Sequence, residues 1–404
     1  MLLASMSSAM HIQNSGRQRP FTFRKLLVIL GTPIDDVTMD EALDRMDQLV
    51  AHGRATGRGH QIATVNADFV VKSLRDAELR RILQESDMAT ADGMPLVWGA
   101  HLLGVPLEGR VTGADMVPAL AQRAAQKGYS MYFLGAAPGV AERAANILRA
   151  QNPGLNIVGI SAPPQAPLEK MDPAIVEACR AAKPDILLVA FGNPKQEKWI
   201  YHHAAELSIP VMMGVGGTFD FIAGVTKRAP TWMQQTGLEW MHRLVQEPRR
   251  LWKRYAVDLL RFSYFFGWQW WTMRRGNIPS TLLPDSESLY LNDTGILNLA
   301  GRLDASNHTE FANKAHDLLA RNQHLIINLA RAEFLDSTAI GTFLSLTKQA
   351  REQKGEIWLV AIPAPIMRVL RMLKLDQFFK ICGSIEDAME LRRQKTPTDI
   401  NVPI

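Results

Sequence analysis

The sequence predicts an α/β protein: a Rossmann-like parallel sheet flanked by helices, followed by a second, smaller α/β unit. Three observations carry this prediction. From Lys25 to about Pro248, short apolar or β-branched runs alternate with longer stretches of helical period, the pattern of strands joined by crossover helices. Residues 277–292, rich in Pro, Ser and Asp, interrupt it and read as a linker. The alternation then resumes for roughly 100 residues, the size of one small domain. A length of 404 residues suits two such units.

In chain order, the run Leu-Leu-Val-Ile-Leu at 26–30 is the first expected strand, and 40–52 the first helical-period segment. Strand 61–65 follows and gives way to helix 67–74; strand 88–91 is short and bounded by Asp92-Gly93. Helix 116–127, strand 130–134, helix 140–151 and strand 156–160 continue the series. Helix 173–182, strand 186–190, helix 196–205, strand 211–215 and helix 229–236 close it. In the second unit, strands are expected at 295–299, 325–329 and 356–360, and helices at 309–321, 337–354 and 364–373.

Composition narrows the function classes. A hydrophobic share of 47% with mean hydropathy −0.07 describes a globular chain, and no uninterrupted apolar run reaches the roughly 20 residues a membrane span needs. Residues 1–24 read as a flexible N-terminus without the basic flank and length of a secretory signal, so a cytoplasmic location is expected. The two cysteines, Cys179 and Cys382, are too far apart for a disulfide framework or a cysteine metal site. No Asp-x-Asp triplet and no metal-ligand spacing occur, so neither a metal nor another cofactor is required.

The net charge of +5 is modest but clustered. Residues 243–276 carry Arg243, Arg249, Arg250, Lys253, Arg254 and Arg261 among Trp252, Tyr255, Phe262, Tyr264, Trp268 and other aromatics. That mixture suits a helix lying in a membrane interface, or a helix packing its aromatics on the sheet unit, and opposite faces can do both. Nucleic-acid binding is not expected, because the aromatics gather in one run rather than along a β-platform.

Ligands of parallel α/β sheets bind beyond the C-terminal strand ends, so residues just after each strand matter most. The tip of strand 61–65 presents Thr64 and Asn66, and the tip of strand 88–91 presents Asp92 beside Gly93, where a carboxylate can act as general base on a hydroxyl. Helix capping and an ordinary Asp-Gly turn are the structural readings of the same residues. Three small-residue turns follow strands: Gly135 to Gly139, Gly192-Asn193-Pro194-Lys195-Gln196, and Gly214-Val215-Gly216-Gly217. Such turns let backbone N–H groups approach a phosphate, and together they suit a nucleotide diphosphate. Arg110 and Arg228 are candidates to neutralise its charge.

Taken in order, Thr64-Val65-Asn66, Thr90-Ala91-Asp92-Gly93, Arg110-Val111-Thr112-Gly113-Ala114-Asp115, Leu134-Gly135, Gly192 to Glu197, Gly214 to Gly217 and Arg228-Ala229-Pro230 resemble the WecG/TagA/CpsF glycosyltransferase family. The resemblance covers about residues 26–262. It implies an inverting, metal-independent transferase that uses a UDP-sugar, such as UDP-N-acetylmannosamine, and a polyprenyl-diphosphate-linked acceptor, in surface or exopolysaccharide synthesis. It makes Asp92 the base, Thr64, Asn66 and Gln196 sugar-site contacts, and the Gly135 and Gly216 turns the nucleotide side; Gly217, Asn193, Arg110 and Arg228 are further substrate-site candidates from the turn and charge pattern. It also implies a basic C-terminal appendage at the membrane, on the inner face of the plasma membrane, where Arg243, Arg249, Arg250, Lys253 and Arg254 would meet the acceptor.

Beyond the linker, Gly301-Arg302-Leu303-Asp304, Ile326 to Leu329 and Phe334 to Gly341 resemble a STAS domain, the fold of anti-sigma-factor antagonists. That resemblance makes Ser337 a candidate for phosphorylation by a partner kinase, adding charge at a helix start, or leaves it an unmodified helix cap. The expected organisation is thus a transferase domain over 25–242, an appendage over 243–276, a linker over 277–292 and a STAS domain over 293–404. The alternative function is regulatory, with an inactive transferase domain and a STAS domain that binds a kinase or an envelope-synthesis partner.

Overall fold

A computed structural model describes residues 24–275, apart from 165, 237 and 247, and residues 288–395, apart from 292. The expected flexible segment 1–24 lies outside the described residues except for Arg24. That residue is folded in: it is buried and pairs bidentately with Asp35.

The elements run β1 (Leu26–Ile29), β2 (Thr32–Asp35), α1 (Met39–Thr56), β3 (His60–Val65), α2 (Ala67–Ser73), α3 (Ala77–Glu85), β4 (Met88–Ala91), α4 (Met94–Leu102) and α5 (Gly113–Lys127). Then come β5 (Ser130–Gly135), α6 (Val140–Gln151), β6 (Asn156–Ser161), α7 (Ala174–Ala182), β7 (Ile186–Ala190), α8 (Lys195–Leu207), β8 (Val211–Gly214) and α9 (Thr218–Ile222). Helices α10 (Thr231–Gln235), α11 (Glu239–Gln246) and α12 (Pro248–Arg275) follow. The second unit contains β9 (Ser288–Leu291), β10 (Thr294–Leu303), α13 (His308–Arg321), β11 (His324–Leu335), α14 (Ser337–Glu352), β12 (Ile357–Val360), α15 (Ala364–Met372), β13 (Lys380–Cys382) and α16 (Ile385–Lys395).

The first unit is a six-stranded, wholly parallel sheet in the order β4-β3-β8-β7-β5-β6. Central strand β7 shows why its sequence is apolar throughout: Ile186 and Leu188 enter one core, and Leu187 and Val189 enter the core on the other face. A strand covered by helices on both sides has no face to give to polar residues. The chain leaves β4 at one edge and re-enters at β5 across β8 and β7, a reversal of winding that leaves a crevice at the C-terminal strand ends.

One expected strand belongs elsewhere. Residues 26–30 do not join the parallel sheet; β1 pairs antiparallel with β2 through the tight turn Leu30-Gly31, both at positive φ. Its alternation explains the placement: Leu26 and Val28 enter the core of the second unit, while Leu27 and Ile29 enter that of the first. The hairpin is a shared wall, apolar on both faces because both are buried. Helix α14 lies against it so closely that a Cβ at Gly341 would collide with the Leu26 carbonyl.

The second unit is a five-stranded sheet in the order β13-β12-β11-β10-β9, with β9 the antiparallel edge. Strand β9 falls within the expected linker 277–292, so the domain begins earlier than its sequence suggested; the remaining linker residues lie outside the described residues.

Candidate functional site

The strand-tip candidates converge on one rim of the parallel sheet. Strands β3 and β4 are in register from Ile62–Met88 to Val65–Ala91, so Asn66 and Asp92 leave adjacent tips. The Asp92 amide donates to the Val65 carbonyl at 2.7 Å, which fixes the second tip on the first. Gly93 has φ +147°, a backbone that side chains rarely adopt, and it turns the chain into α4 immediately after the carboxylate. Asp92 is partly exposed there. Thr90 below it is buried and donates to the Val111 carbonyl at 2.9 Å, tying the loop before α5 to β4.

Asn66 takes the capping role: its side-chain oxygen accepts from Phe69 N at 3.1 Å and starts α2. Thr64 is largely buried and lies against Gly113 at the start of α5, where a Cβ would sit 3.4 Å from the Thr64 hydroxyl and 3.6 Å from that of Thr218. Helices α5, α6 and α8 all begin at this rim. Their N-terminal dipole ends give it a positive field suited to phosphate.

The glycine turns are held by Gln196. Its side-chain oxygen accepts from both Gly192 N at 3.1 Å and Gly216 N at 3.0 Å, so one amide joins the turns after β7 and β8. Gln196 is only 2% exposed. Where the sequence pointed to a sugar contact, the structure gives this side chain a framing role. Gly192 and Gly216 have positive φ and open space where a Cβ would lie, whereas Gly135 is packed, its Cβ position 2.7 Å from the Ala190 carbonyl. Gly217 opens the short helix α9.

Beside Gln196 sits a residue that the sequence reading quoted but gave no role. Glu197 is fully buried, its Oε1 accepts from the Gln196 amide nitrogen at 2.8 Å, and its other carboxyl oxygen has no hydrogen-bond partner among the described residues. Burial pushes its pKa up to about 7 against the hydrogen bond from Gln196. The available signal was helical phase: Glu197 stands three residues before buried Ile200 on an inward face.

The two arginines of the expected diphosphate site are engaged with carboxylates. Arg228 makes a bidentate pair with Asp115 at 2.6 and 2.9 Å, and Arg110 pairs with Glu239 at 3.0 Å. Glu239 also meets Arg228 at 3.5 Å, and Thr112 donates to Asp115 at 2.7 Å. The network closes the start of α5 onto α11. Asn193 donates to Asp68 at 3.1 Å, and Asp68 pairs with Lys72 at 2.8 Å.

The basic-aromatic segment is α11 and the 28-residue α12. One face of it is packed and the other is exposed. Phe262 and Phe266 pack into the core beside α2 and α4, while Leu260, Tyr264 and Trp268 are 72%, 73% and 51% exposed. No helix among the described residues is long and apolar enough to cross a membrane. Arg249 is exposed; the side chains of Arg243, Arg250, Lys253 and Arg254 lie outside the described residues.

In the second unit the cap of α14 is Asp336, not Ser337. Its Oδ1 accepts from the amides of Thr338 and Ala339, both at 2.8 Å, and burial pushes its pKa up to about 6. Ser337 is 1% exposed, its hydroxyl 3.2 Å from Met273 Sδ and 3.4 Å from Gln269 Nε2. Gln269 is wholly buried, accepts from Leu30 N at 2.8 Å and donates to the Val28 carbonyl at 2.9 Å. One amide on α12 thus joins the hairpin and α14, and this docking closes the Ser337 hydroxyl off from solvent. Sequence reading missed Gln269, whose partners lie about 240 residues away in the chain.

Two family models match the chain, one over each unit. Residues 290–388 match the model of the STAS domain. An anti-sigma factor antagonist from Mycobacterium paratuberculosis shares 17% identity, covering 29% of this chain and 99% of its own, with a TM-score of 0.27. An N-acetylglucosaminyldiphosphoundecaprenol N-acetyl-beta-D-mannosaminyltransferase of Bacillus spizizenii is 30% identical over 54% of this chain and 84% of its own length. The enzyme of the same description from Staphylococcus aureus is 26% identical over 58% and 90%. Residues 27–276, more than half the chain, match the family model whose description is glycosyl transferase WecG/TagA/CpsF, and the chain belongs to that family.

Proposed function

We propose that this protein transfers a hexose or N-acetylhexosamine, such as N-acetylmannosamine, from a UDP-sugar to a polyprenyl-diphosphate-linked acceptor in the synthesis of a cell-envelope polysaccharide. The observation that carries the reading is the rim. A carboxylate at the tip of β4 stands beside turns and helix starts that offer amides to a diphosphate. Relatives whose names specify a diphosphoundecaprenol acceptor support the acceptor class.

In this reading Asp92 accepts the proton of the acceptor hydroxyl as its oxygen attacks the anomeric carbon from the face opposite UDP. The bond to UDP breaks with inversion, and the dipoles of α5, α6 and α8, with the turns that follow Gly135 and Gly216, stabilise the departing diphosphate. Gln196 keeps two of those turns at fixed spacing, and Asn66 and Thr64 border the sugar. The exposed aromatic face of α12, with the basic residues of its first turns, rests on the inner face of the plasma membrane and brings the acceptor within reach. The second domain supplies a surface for a protein partner or kinase once it is released from α12.

The test is transfer of radiolabelled sugar from a panel of UDP-sugars to a diphosphate-linked N-acetylglucosaminyl lipid. Labelled lipid product with at least one donor and no added metal is the expected result. Retained UDP binding with no product from any donor would reject the enzymatic reading and favour a regulatory one.

A further inference from the structure

A groove of about 670 Å³ lies between α2, the start of α3, Pro194 and α12, and Asp68, Lys72, Arg75, Asp76 and Arg261 line it. Its two ends differ chemically. At the end nearest the rim stands Asp68, whose Oδ2 accepts from Lys72 and Asn193 and whose Oδ1 is buried without a hydrogen-bond partner among the described residues. A carboxylate oxygen of this kind accepts from a hydroxyl or an amide N–H.

At the other end the charge is cationic. Lys72 is committed to Asp68 and to the Asn193 carbonyl, and Asp76 is committed to Lys198 at 2.7 Å. Arg75 and Arg261 make no ion pair among the described residues and stand on the two walls, one after α2 and one on α12. Arginine forks on opposite walls suit a phosphate or diphosphate, each donating along two directions. From Asp68 to Arg75 is about 10 Å along a helical path, room for a sugar ring followed by its phosphates.

We propose that this groove binds the glycosyl diphosphate part of the lipid-linked acceptor. The sugar lies toward the Asp68 end, and the diphosphate lies between Arg75 and Arg261. The lipid chain then continues along the exposed face of α12, where Leu260 and Tyr264 flank Arg261. The assignment rests on the reaction proposed above for its orientation, not for the anion site itself.

The full chain, saturated with UDP to fill the donor side, is titrated with inorganic pyrophosphate. One further site is expected, weakened about tenfold by Arg75→Gln or Arg261→Gln and about 100-fold by both, with UDP affinity and melting temperature kept. Parent-like pyrophosphate binding by the double variant, or no binding by the parent, overturns the groove. If UDP fails to bind, the donor reading falls, while the contrast between parent and variant still reports on the groove. The source of the phosphate is read separately. A rise in KM for the diphosphate lipid acceptor, with unchanged flotation on acceptor-free phosphatidylglycerol vesicles, supports the acceptor. An equal loss of flotation on those vesicles overturns it in favour of a lipid headgroup.

Discussion

Replacing Glu197 with Gln keeps an oxygen for the Gln196 amide and removes a buried titration. In the folded protein Glu197 holds its proton up to about pH 7, against an ordinary value of 4.5, because burial penalises the carboxylate. Between those pH values the folded state binds a proton that the unfolded state has released. The contribution of Glu197 to stability therefore declines as pH rises from 4.5 through 7 and levels off above. At 1.36 kcal/mol per pH unit this decline is about 3 kcal/mol, undiminished by solvent because the residue is 0% exposed. Urea unfolding of parent and Glu197→Gln, followed by far-ultraviolet circular dichroism from pH 4.5 to 8, reads the difference directly. The variant should lack that decline, so the parent loses about 3 kcal/mol relative to it across the range. Parallel stability curves would refute the reasoning.

Gly214→Ala places a Cβ on the Gln196 nitrogen and Glu197 Oε1; a loss of about 1–3 kcal/mol in stability and weaker UDP binding by calorimetry are expected, and parent values in both would contradict the clamp. Ser337→Asp puts a carboxylate where the hydroxyl is 1% exposed between Met273 and Gln269. At a cost of several kcal/mol it should separate the two domains, seen as a larger radius of gyration in X-ray scattering, whereas Ser337→Ala should scatter as the parent does; an unchanged radius for Ser337→Asp would count against the seam. Leu260→Gln, Tyr264→Gln and Trp268→Gln together should abolish flotation on anionic vesicles, and full flotation would remove α12 from the membrane.

The parts of the fold that were legible in the sequence are those set by local pattern. Strands such as 88–91 and 186–190, and helix 140–151, are bounded as expected because an apolar run or a helical period ends at a turn residue. The strand-tip logic also placed Asn66, Asp92, Asn193 and the glycine turns on one rim without knowledge of strand order. What escaped depended on distant partners. Residues 26–30 read as a sheet strand, but their two faces serve two domains, a fact fixed by α14 more than 300 residues later. The ion pairs of Arg110 and Arg228 were not legible because Asp115 and Glu239 are opposed to them only by tertiary packing. The burial of Ser337 was not legible because the Gln269 contact comes from another domain. Short β9 and β13 gain their strand character from neighbours rather than from sequence.

The claim on which the account turns is that a single carboxylate at the tip of β4 activates the acceptor. The direct measurement is the rate of sugar transfer by Asp92→Asn with a diphosphate-linked lipid acceptor at saturating donor. A fall in kcat of about 100-fold or more with unchanged UDP affinity is the predicted result; transfer within about threefold of the parent would contradict it.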